Sequence, residues 1–167
     1  MGSFALPLSV RLEGGRVRLR AAPGAEVGTV VLFESRDGQV GHAWGELREG
    51  EAVVDRPVLG QDPGAGMELI AQQLEASGLY PREVEAMIAT WRQSWTEEGC
   101  RVFYVLPRAA VDRILPLTVK PEPADLVRVL VGRLEILTPE RESAVRARAR
   151  ARAKETDRFA AVMRERR

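Results

Sequence analysis

Hydrophobic residues recur along this chain with two periods, and the first of them, alternation, governs residues 8–56. Leu8, Val10 and Leu12 alternate with polar neighbours. Gly14-Gly15 then supplies the positive φ values that a two-residue hairpin loop needs. Val17 and Leu19 follow on one face, with Arg16, Arg18 and Arg20 on the other. Pro23-Gly24 interrupts, VGTVVLFES resumes a strand pattern from Val27 to Phe33, and Asp37-Gly38 turns the chain again. Residues 39–49 read as a further strand carrying Val40, Trp44 and Leu47, and EAVVDRPVL as a last short one. The expected product is an antiparallel sheet of four or five strands with one wet face, whose apolar face needs a cover.

The second period supplies that cover. Met67, Ile70, Ala71 and Leu74 fall at helical spacing and end at Ser77-Gly78, where glycine suits a left-handed cap. Pro81 is placed for the first turn of a second helix, and Glu83 and Glu85 sit at its positive end. Val84, Met87, Ile88, Trp91 and Trp95 form one apolar stripe, which is expected to pack on the sheet. After Gly99 the period returns to two: in CRVFYVLP, Val102, Tyr104 and Leu106 face one way, Phe103 and Val105 the other. Apolar groups on both sides predict a central or helix-covered strand. RAAVDRIL is a short helix closed by Pro116, LTVKPEP an edge-like strand, and LVRVLVGRLEIL a strand with a bulge or bend expected near Gly132.

Thr138-Pro139-Glu140 marks a last helix start, with Thr138 as cap and Pro139 at its first position. Beyond it the sequence SAVRARARARAKETDRFAAVMRERR alternates alanine with arginine. Both are good helix formers, so a solvated helix or a frayed basic tail is expected rather than a strand. This segment changes the charge picture. The whole chain has a formal net charge of +1, but residues 1–137 carry 15 basic and 19 acidic side chains and residues 138–167 carry 10 and 5. Any polyanionic partner, nucleic acid or an anionic membrane, would therefore be met by Arg146, Arg148, Arg150, Arg152 and Lys154. No aromatic residue is interleaved with those arginines, so readout of single strands by base stacking is not supported.

The periodic elements predict an α+β fold, an antiparallel β-sheet packed against two or three helices with an Arg-rich C-terminal helix or tail. Three parts are expected: an N-terminal strand subdomain (1–60), a helix-strand core joined to the same domain (61–139), and the basic segment (140–167). At 167 residues, 45% apolar and 29% charged, such a chain can bury a core of its own. No apolar run is long enough to span a membrane, and the start has no basic region followed by a sustained apolar core. A single cysteine, Cys100, excludes an intrachain disulfide, and one histidine, His42, removes the usual zinc clusters. GQDPGAGME lacks the lysine and hydroxyl residue of a phosphate-binding loop and reads as a linker between sheet and helices. No cofactor is implied.

Residues 78–139 contain Gly78-Leu79, Trp91-Arg92-Gln93-Ser94-Trp95, Leu106-Pro107-Arg108, Val111-Asp112 before Leu115-Pro116-Leu117, and Val131-Gly132-Arg133 before Thr138-Pro139. This block resembles one found in an uncharacterised bacterial protein family, from whose pattern Thr96 departs by standing where an aromatic residue is usual. The resemblance implies the C-terminal region of a longer exported or envelope-associated protein. It carries no established activity and no catalytic residues to transfer.

Chemistry has few candidates. Glu98, Asp112 and Arg108, with Glu97, are the only mixed polar group near the tryptophan stripe, and a pair of carboxylates across a cleft could perform acid–base hydrolysis. Adjacent Glu97 and Glu98 point apart, however, and Asp112 stands four residues from Arg108, the spacing of an ordinary helix ion pair. Trp91, Ser94 and Trp95 could line a ligand pocket with Glu97 or Glu98, but the expected role of tryptophans at this helical spacing is core packing over the sheet. Cys100 would need His42 beside it to act as a nucleophile. The inventory favours a non-catalytic structural or protein-interaction domain, contacting a partner protein or a second copy of itself. Polyanion association and hydrolysis by Glu98 or Asp112 stand as alternatives.

Overall fold

A computed structural model describes residues 6–165, with side chains described to residue 153. The chain divides into two compact units, residues 1–136 and 137–167. Seven strands and three helices build the first: β1 (Leu8–Glu13), β2 (Arg16–Ala21), β3 (Thr29–Arg36), β4 (Gln39–Glu46), β5 (Glu51–Asp55), α1 (Pro63–Ala76), α2 (Pro81–Trp95), β6 (Gly99–Leu106), α3 (Arg108–Ile114) and β7 (Leu130–Ile136). The second is a single helix, α4 (Pro139–Glu165). The fold is α+β.

The strands form two antiparallel sheets rather than one. The orders are β1-β2-β5 and β4-β3-β6-β7. Both two-residue hairpins form at the glycines that announced them, Glu13 pairing with Arg16 and Arg36 with Gln39. The division into two sheets follows from β3. Its run Val30-Val31-Leu32-Phe33 is apolar at every position and fully buried, so both of its faces need cover. Val30 and Leu32 face β1-β2-β5, in a core with Leu8, Val17, Leu19, Val54, Val102 and Tyr104. Val31 and Phe33 face α1 and α2, in a second core with Met67, Ile70, Leu74, Val84, Trp95 and Phe103. The first unit is therefore three layers: sheet, sheet, helices.

Several expectations need correction. Helix α1 begins at Pro63, within the stretch read as a linker: Asp62 caps it by accepting from the Gly64 N–H at 2.9 Å. Gly66 lies in its first turns because a β-carbon there would come within 2.6 Å of Phe33 Cζ and 2.8 Å of His42 Cβ, so glycine lets the helix settle onto the sheet. Residues 116–129 contain no strand; LTVKPEP and the start of LVRVLVGRLEIL are irregular, and β7 begins only at Leu130. Gly132 marks no bulge. Its register with Tyr104 is regular, and a β-carbon would stand 2.1 Å from Tyr104 Cζ, so the glycine makes room for the ring lying across it. Helix α2 ends at Trp95 and not at Gly99. Of its apolar stripe, Val84 and Trp95 are buried, while Trp91 keeps 51% of its surface exposed.

In the second unit, Thr138 Oγ1 accepts from the Arg141 N–H at 3.3 Å, and Glu140 and Glu142 lie in the first turn, where acidic groups suit the helix dipole.

Candidate functional site

The candidate polar group divides between two places. Asp112, half-buried in the second turn of α3, is held by two arginines: Arg108 Nε donates to Oδ2 at 3.2 Å and Arg128 donates to Oδ1 at 2.5 Å. Arg108 also donates to the Leu126 carbonyl at 2.6 Å. The effect is a clamp that fastens the irregular segment 116–129 to α3. Desolvation opposes ionisation of Asp112, but the hydrogen bonds from Arg128 and Arg108 outweigh it and hold the carboxyl below its ordinary value of 3.8. A carboxylate kept ionised and occupied at both oxygens is suited to holding chain, not to receiving a proton.

Glu98 stands elsewhere, in the turn between α2 and β6, and no hydrogen bond or ion pair joins it to Asp112 or Arg108 among the described residues. What it contributes is its backbone carbonyl, 3.2 Å from Arg101. Arg101 was not a sequence candidate, yet it is the most deeply buried charged residue of the first unit, at 2% exposure. Its guanidinium donates to the carbonyls of Trp95 at 3.0 Å, Glu97 and Glu98, and to the Glu135 carboxylate at 3.1 Å. The last carbonyls of a helix lack intrahelical partners, and from the neighbouring strand Arg101 supplies one to Trp95 at the end of α2 and holds the Glu97 and Glu98 carbonyls of the turn that follows. Arg133, next to it on β7, donates to Ser94 and to Glu135. The available signal was an arginine inside the otherwise apolar run CRVFYVL.

A second buried pair ties the two sheets together. Glu34 on β3 is 3% exposed and accepts from Arg56 through both oxygens, at 3.0 and 2.5 Å. Cys100 pairs across from Glu34 on this inter-sheet face. Burial, reinforced by the Glu34 charge, pushes its thiol up to about 12. His42 pairs across from Phe33 and contacts its ring on the helix-covered face, so histidine and cysteine occupy opposite sides of the sheet and cannot act together.

Two cavities matter. The larger, about 610 Å³, lies within the 117–126 loop beside Arg108 and contains neither Glu98 nor Asp112. The other, about 350 Å³, runs between α2 and β7. Met87, Trp91, Ser94 and Trp95 form one wall, Val129, Leu130, Val131 and Arg133 the other, with Phe103 at its base. Trp91, Ser94 and Trp95 thus line one groove, and the core packing expected of both tryptophans holds for Trp95 alone. Trp95 is packed 5.2 Å from the Phe103 ring, and Trp91 forms an exposed rim.

On α4, Arg146, Arg148, Arg150 and Arg152 are exposed, and Arg146 pairs with Glu142 one turn before it. Lys154 falls within the helix, but its side chain lies outside the described residues. Among the described residues no group of three His, Cys, Asp or Glu side chains could hold a metal ion. No described helix is long and apolar enough to cross a membrane. No family model, curated protein or solved structure matches this chain.

Proposed function

We propose that this chain is a non-catalytic protein-interaction domain. The observation that carries the reading is Trp91, a large aromatic side chain left half exposed on the rim of the α2–β7 groove, while its stripe-mate Trp95 is buried. Exposed tryptophan beside apolar walls is the composition of a contact surface. The candidate polar groups and their neighbours are spent on structure: Arg133 on Ser94 and Glu135, Arg101 on the Trp95 carbonyl and the turn after α2, and Asp112, away from the groove, on two arginines.

The test is site-specific photo-crosslinking. A photoreactive residue replacing Trp91 gives a discrete covalent adduct with a protein in the producing cells, and the same residue replacing exposed Arg11 on β1 does not. Equal labelling from both positions, or none from either, removes the reading. A hydrolase is the competing class. Turnover of an ester, phosphate or glycoside substrate that disappears in Asp112→Asn or Glu98→Gln, with the fold intact, would put the polar group in charge instead.

The exposed arginines of α4 favour a second reading, association with a polyanion. Its mark is duplex DNA or anionic-vesicle binding whose affinity falls steeply with salt and is lost when Arg146, Arg148, Arg150 and Arg152 are reversed in charge.

A further inference from the structure

Charge is segregated in this protein. Residues 61–98, which hold α1 and α2, carry seven carboxylates against Arg82 and Arg92, a net of −5. Residues 138–167, which hold α4, have a net of +5. The rest of the chain is close to neutral. The helical layer is thus the acidic surface of the first unit and α4 a basic rod. On α1, Glu68, Gln72 and Glu75 are exposed and fall at i, i+4 and i+7, one stripe on the side away from the core; on α2, Glu85 is exposed as well. Trp91 stands exposed on the same helix, offering an aromatic face on which a guanidinium can stack.

From this complementarity we infer that α4 of one copy docks on the α1–α2 layer of a second copy, and that exchange of the two helices makes a symmetric dimer. The inference rests on the interaction reading above and names its partner. The dimensions agree: at 1.5 Å per residue, Arg141 to Arg152 covers about 17 Å, and α1 and α2 are each about 21–23 Å long. Residues two apart on a helix point to nearly opposite sides, so Arg146 and Arg150 lie on one side of the rod and Arg148 and Arg152 on the other. Alanine between them keeps the rod narrow, and the pair turned to the layer reaches its carboxylates, Arg146 exchanging Glu142 for one of them. Two reciprocal contacts of this kind close on themselves under two-fold symmetry and leave no open end to propagate a fibre. Attraction between exposed charges is screened within about 10 Å at 0.1 M salt, so the dimer must weaken as salt rises.

The experiment is sedimentation equilibrium of the full chain over a salt series, with two charge-reversal variants. One reverses α4 (R146E/R148E/R150E/R152E); the other reverses the layer (E68K/E75K/E85K). Glu83 is left alone because it accepts from the Tyr80 N–H at the start of α2. Helical content measured by circular dichroism controls for folding; arginine, glutamate and lysine are all good helix formers. The expected result is a dimer at low salt that dissociates toward about 0.5 M. Each variant alone loses about 30-fold or more in dimer affinity, as the loss of several surface ion pairs implies. Mixing the two variants restores a heterodimer, because each reversed surface then meets its complement. A monomer at every salt concentration, a dimer indifferent to salt, or a mixture that fails to associate overturns the inference. A monomer that still gives the Trp91 photo-adduct with another protein overturns the second copy as partner while leaving the interaction reading in place; a monomer without the adduct removes both. A monomer that binds duplex DNA through the α4 arginines assigns the helix to a polyanion and likewise overturns it.

Discussion

Arg101 and Asp112 each hold an irregular stretch of backbone through charged hydrogen bonds, yet the two junctions differ in depth. At the α2–β6–β7 junction the guanidinium is almost wholly buried and serves three carbonyls and one carboxylate. At the α3 junction the Asp112 side chain is 41% exposed, its partner Arg108 is open to solvent and Arg128 is mostly covered. Water reaches both carboxylates, since Glu135 is itself half exposed, but at the first junction it does not reach the Arg101 guanidinium that joins the partners. Similar chemistry therefore fixes a fold in one place and only steadies a loop in the other.

The largest expected effect tests the buried side. Arg101→Met leaves the Trp95, Glu97 and Glu98 carbonyls unserved, and breaking a buried charged network of this kind costs about 3 kcal/mol, read as a lower urea midpoint with an unchanged slope. A loss below about 1 kcal/mol would make the two junctions equivalent. Gly132→Ala tests the same strand pair from its opposite face. The added carbon collides with the Tyr104 ring, with an expected loss of about 1–3 kcal/mol, and combining it with Tyr104→Leu recovers part of that loss.

An effect that is absent at neutral pH follows from Cys100, the residue before Arg101. Its thiol is raised from 9.0 to about 12 in the folded chain, so between those values the unfolded chain releases a proton that the folded one keeps. Stability is unaffected by this group below pH 9 and falls as pH rises toward 12, by at most about 1.4 kcal/mol per pH unit. Subtracting the pH profile of Cys100→Ala from that of the native protein isolates the slope, and superimposable profiles would show that the thiol is not buried.

The smallest effect belongs to the open junction. Asp112→Asn leaves the thermal midpoint nearly unchanged but speeds amide exchange and proteolytic cleavage within residues 116–129. The folded pKa of Asp112 is depressed, so the clamp is present above the ordinary value of 3.8 and is lost as pH falls through the lower folded value. Protection of the loop that persists in Asp112→Asn would transfer the fastening to Arg108 and the Leu126 carbonyl.

Much of the scaffold was legible because its signals are local. Gly14-Gly15 and Asp37-Gly38 define hairpins by backbone conformation alone, Pro81 and Thr138-Pro139 mark helix starts, and CRVFYVL alternates over a full strand. What escaped depends on neighbours distant in sequence. The linker reading at residue 63 failed because glycines there looked like breakers, whereas Gly66 is required by Phe33 and His42 beneath it. The bulge expected at Gly132 failed for the same reason, with Tyr104 as the neighbour. Residues 126–129 alternate like a strand but lack strand pairing.

The candidate site shows the same division. Spacing correctly placed Asp112 against Arg108, an i, i+4 contact on one helix. It missed Arg128, sixteen residues away, which occupies the second oxygen and turns a helix pair into a loop clamp. It missed Arg101 because a lone arginine in a strand does not reveal what it will meet. Trp91 and Trp95 are indistinguishable in sequence; which one is buried depends on where Phe103 lies beneath α2.

By itself, the sequence determined most of the helices and strands and where the chain turns, since dihedral preferences and hydrophobic period act over a few residues; it failed at residues 116–129 and at the start of α1. It also determined the segregation of charge between residues 61–98 and residues 138–167. Only the tertiary structure decided that the strands form two sheets, that Arg101 closes the end of α2, and that Trp91 is left outside. Those outcomes depend on long-range packing: a side chain's burial and its partners are properties of the surface it meets, and that surface comes from another part of the chain.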